Sequence, residues 1–311
     1  MAIENDTTGY LNAHCHLELG HLRGAIPPGL DFVEWLDRIV DAKRKRPPAE
    51  SERAAAFGLK RLRETGTTAL LDIESMGTSE AARRADPIPG IIFRELIQFD
   101  PARADHHLSD VLVKRRAHGP LPRGLRFGLS PHAPYTTTEP LLLGALSTAS
   151  MLREWICIHC AETAEETEML LFGTGPLYEF LSDRNLLPPG WRPPGLSPVR
   201  YLATLGLLGA RTLLVHCNDL SEMDIMVLRR SRCRVVLCPG THIYFGREEF
   251  PLSRLLRAGV PVYLGTDSLA SNEDLDMARE IRLAKQLAPD VDPAVIEGLA
   301  RAERLRDFSS Q

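Results

Sequence analysis

No stretch of the chain approaches about eighteen consecutive apolar residues, so no transmembrane helix is expected. The first residues, Met1 to Tyr10, lack both the basic and the apolar region of a secretory leader, and a cytoplasmic protein is expected. Charge of one sign is not in excess: the net charge is −4. The basic residues are scattered, and the densest cluster, Lys43 to Arg46, reads as the solvated end of a helix. Nucleic-acid and membrane partners are therefore not expected. Internal repeats and low-complexity tracts are absent. Of the six cysteines, only Cys157 and Cys160 are closely spaced. They fall on an expected strand, where positions three apart face opposite sides. With no second close pair, a four-cysteine zinc site is excluded. All six read as reduced, mostly buried residues.

The 311 residues, 44% hydrophobic and 25% charged, alternate short β-rich segments with amphipathic helices. Strands are expected at Tyr10–His16, Thr67–Glu74, Gly90–Ile97, Leu125–Ser130, Trp155–Cys160, Thr212–Cys217, Arg234–Cys238 and Val260–Thr266. Several are continuous apolar runs, such as Thr212 to Val215, as strands covered on both faces require. Phe32, Trp35, Leu36, Ile39 and Val40 follow helical spacing. Ser221 is placed to cap the helix carrying Ile225 and Leu228, and Asn272 to cap one over Leu275 to Leu287. Asp292–Arg306 reads as one more amphipathic helix. Eight strand–helix units with right-handed crossovers make a (β/α)8 barrel, favoured over a doubly wound open sheet. The Pro- and Gly-rich stretches Ala25–Leu30 and Leu187–Pro198 read as loops that wall or cap a site.

The strongest chemical signal is Asn12-Ala13-His14-Cys15-His16-Leu17-Glu18. Residues i and i+2 on a strand share a face, so His14 and His16 can hold one metal. An HxH pair is weak by itself. However, His159 with Glu162, His216, and Asp267 each follow directly on an apolar strand run. In a barrel those positions are the C-terminal strand ends, where active sites lie. Four such ends converging on one mouth are hard to explain as packing, because buried His and Asp without partners are costly.

Taken together, these residues resemble the amidohydrolase superfamily, in its branch of aminohydrolases and chlorohydrolases acting on purine, pyrimidine and triazine rings. The similarity runs from Asn12–Glu18 through Ser130–Tyr135, His159–Glu162, His216 and Cys238-Pro239 to Gly265–Asn272. It implies a metal-dependent hydrolase barrel over residues 1–311, with the first strand near 10–16, the eighth near 260–267 and C-terminal helices over 273–306. By position it implies that His14, His16, His159 and Asp267 bind one divalent ion, Zn2+ or else Fe2+. Asp267 would take a proton from the attacking water, Glu162 would protonate a ring nitrogen and then the leaving group, and His216 would orient the developing oxyanion. The fourth strand ends in Phe127-Gly128-Leu129-Ser130, with no lysine to bridge two metals, which favours one ion and the deaminase branch. His132, Tyr135, Arg94, Glu95, His242 and Asn272 are candidate substrate contacts. For Arg94, Glu95 and His242 an ion pair or a solvated loop is an equal alternative. Trp155 and Trp191 read as packing residues, and His21, His106, His107 and His118 as surface residues.

The resemblance implies deamination of a small aminated heterocycle, most like deaminases of adenine-bearing compounds such as aminofutalosine, methylthioadenosine and S-adenosylhomocysteine. Two alternatives stay open: release of chloride or of an amine from an N-substituted ring or amide, and a non-catalytic relative. Members of the family carry strands at both ends that build a small β-sandwich. Little or none of it is expected here, and a homodimer through the barrel surface so exposed is the expected assembly.

Overall fold

The computed structural model describes residues 9–45 and 47–309; the reading of Met1 to Thr8, and Arg46 in the basic cluster, lie outside the described residues. Eight strands form one parallel sheet in sequential order: β1 (Tyr10–Cys15), β2 (Thr67–Glu74), β3 (Gly90–Leu96), β4 (Leu125–Pro131), β5 (Trp155–Cys160), β6 (Thr212–His216), β7 (Arg234–Leu237) and β8 (Val262–Leu264). A parallel bridge from Cys15 to Asp267 brings β1 back to the end of β8. The backbone N–H groups of Thr266 and Asp267 both donate to the His14 carbonyl at 3.1 Å. The architecture is the expected (β/α)8 barrel, with β8 shorter than its apolar run.

The continuous apolar runs have the physical origin anticipated for them. In β6, Leu213 and Val215 pack inside the barrel with Leu71, Phe93, Val236 and Tyr263. Leu214 points outward, against the helices, with Ile158, Val235 and Leu264. Both faces of each strand are thus dry. Cys157 and Cys160 divide between the inner and outer layers, and all six cysteines are free and buried.

The segment after the last long helix closes the N-terminal end of the barrel. Phe308, Leu305 and Ala302 pack against Trp155 and Tyr263. The Trp155 indole N–H donates to the Phe308 carbonyl at 3.0 Å, and the Tyr263 hydroxyl donates to Asp307 at 2.6 Å. The anticipated single helix over Asp292–Arg306 is in fact two pieces, an α-helix at Pro293–Gly298 and a 3-10 helix at Ala302–Phe308. The break lets the second piece turn under the barrel. With that end plugged, only the C-terminal strand ends remain for a site.

Two expected caps resolve differently. Ser221 forms a capping box with Asp224, as its spacing suggests. Asn272 does not cap the helix Met277–Leu287; Asp276 does, accepting from the Ala278 N–H. Among the described residues no helix is long and apolar enough to cross a membrane.

Candidate metal centre and active site

The first strand carries a local irregularity that aims the site. Asn12 pairs with Leu70 but Cys15 with Asp72, so β1 has one residue more than β2 over this interval. Such a bulge shifts the side-chain alternation by one position. Below it, Leu11 and Ala13 face the barrel interior. Beyond it, Cys15 and Leu17 join the outer layer while His14 and His16 meet the histidines of the other strands. Gly265 permits the fit, since a Cβ there would lie 2.8 Å from both the Cβ and the backbone nitrogen of His14.

The donors converge. His16 Nε2 lies 3.3 Å from His159 Nε2, and Asp267 Oδ1 lies 3.5 Å from His14 Nε2 and 3.9 Å from His16 Nε2. Ligand atoms each about 2.1 Å from a tetrahedral ion stand about 3.4 Å apart. His14 is 1% exposed, yet neither of its ring nitrogens has a hydrogen-bond partner. His159 Nδ1 donates to the His132 carbonyl at 3.0 Å, which fixes its proton there and turns the Nε2 lone pair inward. Burial, reinforced by the charges of neighbouring imidazoles, holds His16 and His159 well below the usual histidine range. They are therefore neutral, as metal ligands must be. Burial alone would raise the Asp267 carboxyl, but His14, His216 and His16 together outweigh it and hold it well below the usual range. Its Oδ2 accepts from Ser271 at 2.8 Å and Thr241 at 3.1 Å, and its Oδ1 from the Ser268 N–H at 2.7 Å. An orphaned imidazole and matched donor spacings fit a metal ion.

Beside this cluster, Glu162 is 8% exposed, with Oε2 3.6 Å from His216 Nε2 and Oε1 3.2 Å from Arg247 Nη2. Burial lifts its carboxyl to about 7, against the opposing pull of Arg247. Of the seven non-glycine residues with positive φ among the described residues, four stand here, Ala161, His216, Cys217 and Asp267, just past or at the ends of β5, β6 and β8. Each costs of order 1 kcal/mol, and such strain clusters at functional sites.

The amidohydrolase family profile matches residues 7–298. The chain belongs to the amidohydrolase family. An aminodeoxyfutalosine deaminase of Deinococcus radiodurans is 33% identical over 293 residues, covering 92% of this chain and 69% of that one. A 5-methylthioadenosine/S-adenosylhomocysteine deaminase of Thermococcus kodakarensis is 31% identical, covering 93% and 65%. A solved adenosine deaminase from Xanthomonas campestris with bound zinc shares the fold at TM-score 0.77 and 24% identity, covering 96% of this chain and 66% of that one. The chain thus spans about two thirds of the length of these relatives. Family membership and the donor set together support a divalent metal at this centre.

This amidohydrolase has a cavity of about 470 Å³ over the cluster. Of the residues singled out in the sequence, His16, His159, Glu162, His216, Asp267, His132, Tyr135 and Glu95 line it. Three candidate substrate contacts do not. Arg94 points out of the barrel, ion-paired to the buried Glu74 and Glu80. Strand alternation explains this: Ile91 and Phe93 face inward, so Glu95 does and Arg94 cannot. His242 is buried against Phe250 at 5.1 Å between ring centres. Asn272 donates to the Thr266 carbonyl and to Glu280 at 2.7 and 2.9 Å, bracing the loop that carries Asp267.

The sequence reading missed Arg247, whose only signal was a lone arginine in the loop after β7. Lys43 and Arg44 stand, as expected, on the last turn of the helix Phe32–Lys45, Lys43 half-buried and Arg44 exposed; what the sequence did not indicate is that both also line the cavity, over whose mouth this helix lies. The loop at Leu187–Pro198 walls a neighbouring cavity of about 290 Å³, with Leu187, Pro188 and Trp191 in its lining.

Proposed function

We propose that this chain is a hydrolytic deaminase acting on an adenine-type ring, with zinc as the divalent ion. The observation that carries the reading is Glu162: a buried carboxyl that protonates near neutrality, in one cavity with the converging His and Asp donors. The named relatives, deaminases of adenine-bearing compounds, support the same substrate class.

In this reading His14, His16, His159 and Asp267 hold the ion. When bound, it supplies a Lewis acid that brings the ionisation of water down to about pH 7. The chain's own groups do the rest. Asp267, with Oδ2 anchored by Ser271 and Thr241, presents Oδ1 as the base that takes a proton from the attacking water. His216 orients the oxygen as it adds to the ring carbon. Glu162 donates its proton to the adjacent ring nitrogen, takes up the hydroxyl proton of the added oxygen and passes it to the amino group, so that the C–N bond breaks, ammonia leaves and a C=O bond remains; the proton held by Asp267 then restores Glu162. His132, Tyr135 and Glu95 hold the ring, and the helix Phe32–Lys45 excludes bulk water.

The test is ammonia release from metal-loaded protein across aminated purines, pyrimidines, pterins and triazines. Ammonia from an adenine nucleoside supports the reading. Chloride or alkylamine release in its place transfers the chemistry to the chlorohydrolase or amine-releasing alternative. No product from any compound overturns catalysis. The Glu162→Gln variant should keep its metal and lose turnover.

A further inference from the structure

Behind the turn that carries Glu162 stands a second buried carboxyl, outside the cavity lining. Glu166 is fully buried, in the first turn of the helix Ala164–Phe172. Thr163 caps this helix, its hydroxyl accepting from the Glu166 N–H at 3.2 Å. In a capping box the third residue of the helix returns the bond to the N–H of the cap itself. Here Glu166 reaches one residue further back, and its Oε2 accepts from the N–H of Glu162 at 2.8 Å. Its Oε1 has no hydrogen-bond partner among the described residues. Burial lifts the Glu166 carboxyl to about 8, so it carries its proton at neutral pH. The carbonyl of Glu162 is held as well. Asn218, two residues past His216, donates to it through Nδ2 at 3.1 Å. The backbone N–H groups of Asn218 and Asp219 donate to the Ala161 carbonyl at 2.8 and 2.9 Å. Ala161 has a φ of 49°, and a residue strained in this way persists only where its surroundings over-determine it. Glu162 is thus gripped at its N–H and at its C=O by side chains of two separate segments.

We infer that Glu166 and Asn218 are positioning residues for proton transfer, which fix the backbone of Glu162 so that its carboxyl stays between His216 and Arg247. This rests on the deaminase reading, which gives Glu162 its protons to move. Proton transfer needs the carboxyl within hydrogen-bond reach of the reacting atom, and a flexible side chain on a loose turn spends little time there. With its backbone clamped, Glu162 holds Oε2 at 3.6 Å from His216 and Oε1 at 3.2 Å from Arg247. Neither positioning residue lines the cavity, so both act through Glu162 and not on the ring.

The test is steady-state ammonia release by the metal-loaded protein from the adenine nucleoside it deaminates fastest, with metal content and melting temperature measured on the same samples. Glu166→Ala should lower kcat roughly thirtyfold and Asn218→Ala roughly tenfold, since a misplacement near 1 Å costs up to about a hundredfold in rate. In both, KM should stay within about threefold of the wild type and the ion should be retained, because the lost contact serves the transition state and not the bound ring. Asn218 is half-buried, and its variant reads the same split where the fully buried substitution fails to fold. Glu166→Gln, which keeps an acceptor for the Glu162 N–H and resembles the protonated acid, should recover most of kcat. Thr163→Ala removes the cap of the same helix without touching the Glu162 contact; it should lower the melting temperature and leave kcat within about threefold. A loss carried by KM or by metal content, an unchanged kcat in Asn218→Ala, no recovery in Glu166→Gln, or Thr163→Ala as slow as Glu166→Ala overturns the inference and leaves the deaminase reading standing. Absence of ammonia from the wild-type protein with every compound overturns that reading, and the inference with it.

Discussion

His16 and His159, 143 residues apart in the chain, bring their Nε2 atoms to 3.3 Å of one another. Two neutral imidazoles aimed at each other inside a barrel gain little without an ion between them. The purified protein should therefore contain one divalent ion per chain by elemental analysis, and His159→Ala should lose most of it. Chelation should lower the melting temperature. At a free metal concentration a hundredfold above Kd the ion adds about 2.7 kcal/mol to stability. A chelated sample melting where the loaded one does would remove the metal from this account.

Arg247 sets the working pH of Glu162. Burial raises the Glu162 carboxyl to about 7, and the guanidinium opposes that rise. As a proton donor Glu162 is active when protonated, so kcat/KM should fall as pH rises through its pKa. Removing the arginine takes away a force that favours the charged form, so Arg247→Met should move this alkaline limb to higher pH. A pH–rate profile checks it; an unmoved limb, or one displaced toward acid, would refute the coupling.

Gly265 is a geometric requirement of the metal centre. Its neighbours, the Cβ and backbone nitrogen of His14, would both lie 2.8 Å from an added methyl group. Gly265→Ala should reduce metal affinity and activity well before it unfolds the barrel, because the backbone of His14 must shift and ligand placement tolerates only about 0.5 Å. Metal titration with and without the substitution reads this directly.

Arg83 is a structural cation. It is fully buried and donates to the carbonyls of Ile91, Leu70 and Ile88 at 2.8, 3.1 and 2.8 Å, which ties the helix Thr78–Ala85 to β2 and β3. Arg83→Met should cost about 3–5 kcal/mol, since three carbonyls lose their donor and the buried Asp72 loses a neighbouring positive charge. Urea unfolding would show it, whereas loss of activity without loss of stability would place Arg83 in the site.

Much of the barrel was legible because its cause is local. Strands dry on both faces must be apolar throughout, so Thr212–Val215 and Val235–Leu237 announced themselves. The ligand-type residues stood out because each interrupts such a run at its end. Arg94 takes the ion-pair alternative that the sequence left open, and the alternation of Ile91, Phe93 and Glu95 already turns it outward. Asn272 and His242 lie beside the site in sequence, but Asn272 braces the loop that carries Asp267 and His242 packs against Phe250.

The sequence by itself determined the order of strands and helices, the residues at the barrel mouth and the chemistry they can support, because period and composition are local properties of a chain. Only the tertiary structure decided where those residues aim. The bulge between Asn12 and Cys15 exists only as a mismatch with β2, and without it the register of β1 would not turn His14 inward. The pairing of Arg247 with Glu162, and the turn of Lys43 and Arg44 toward the cavity, likewise depend on how distant elements pack, and no spacing along the chain encodes the contact between them.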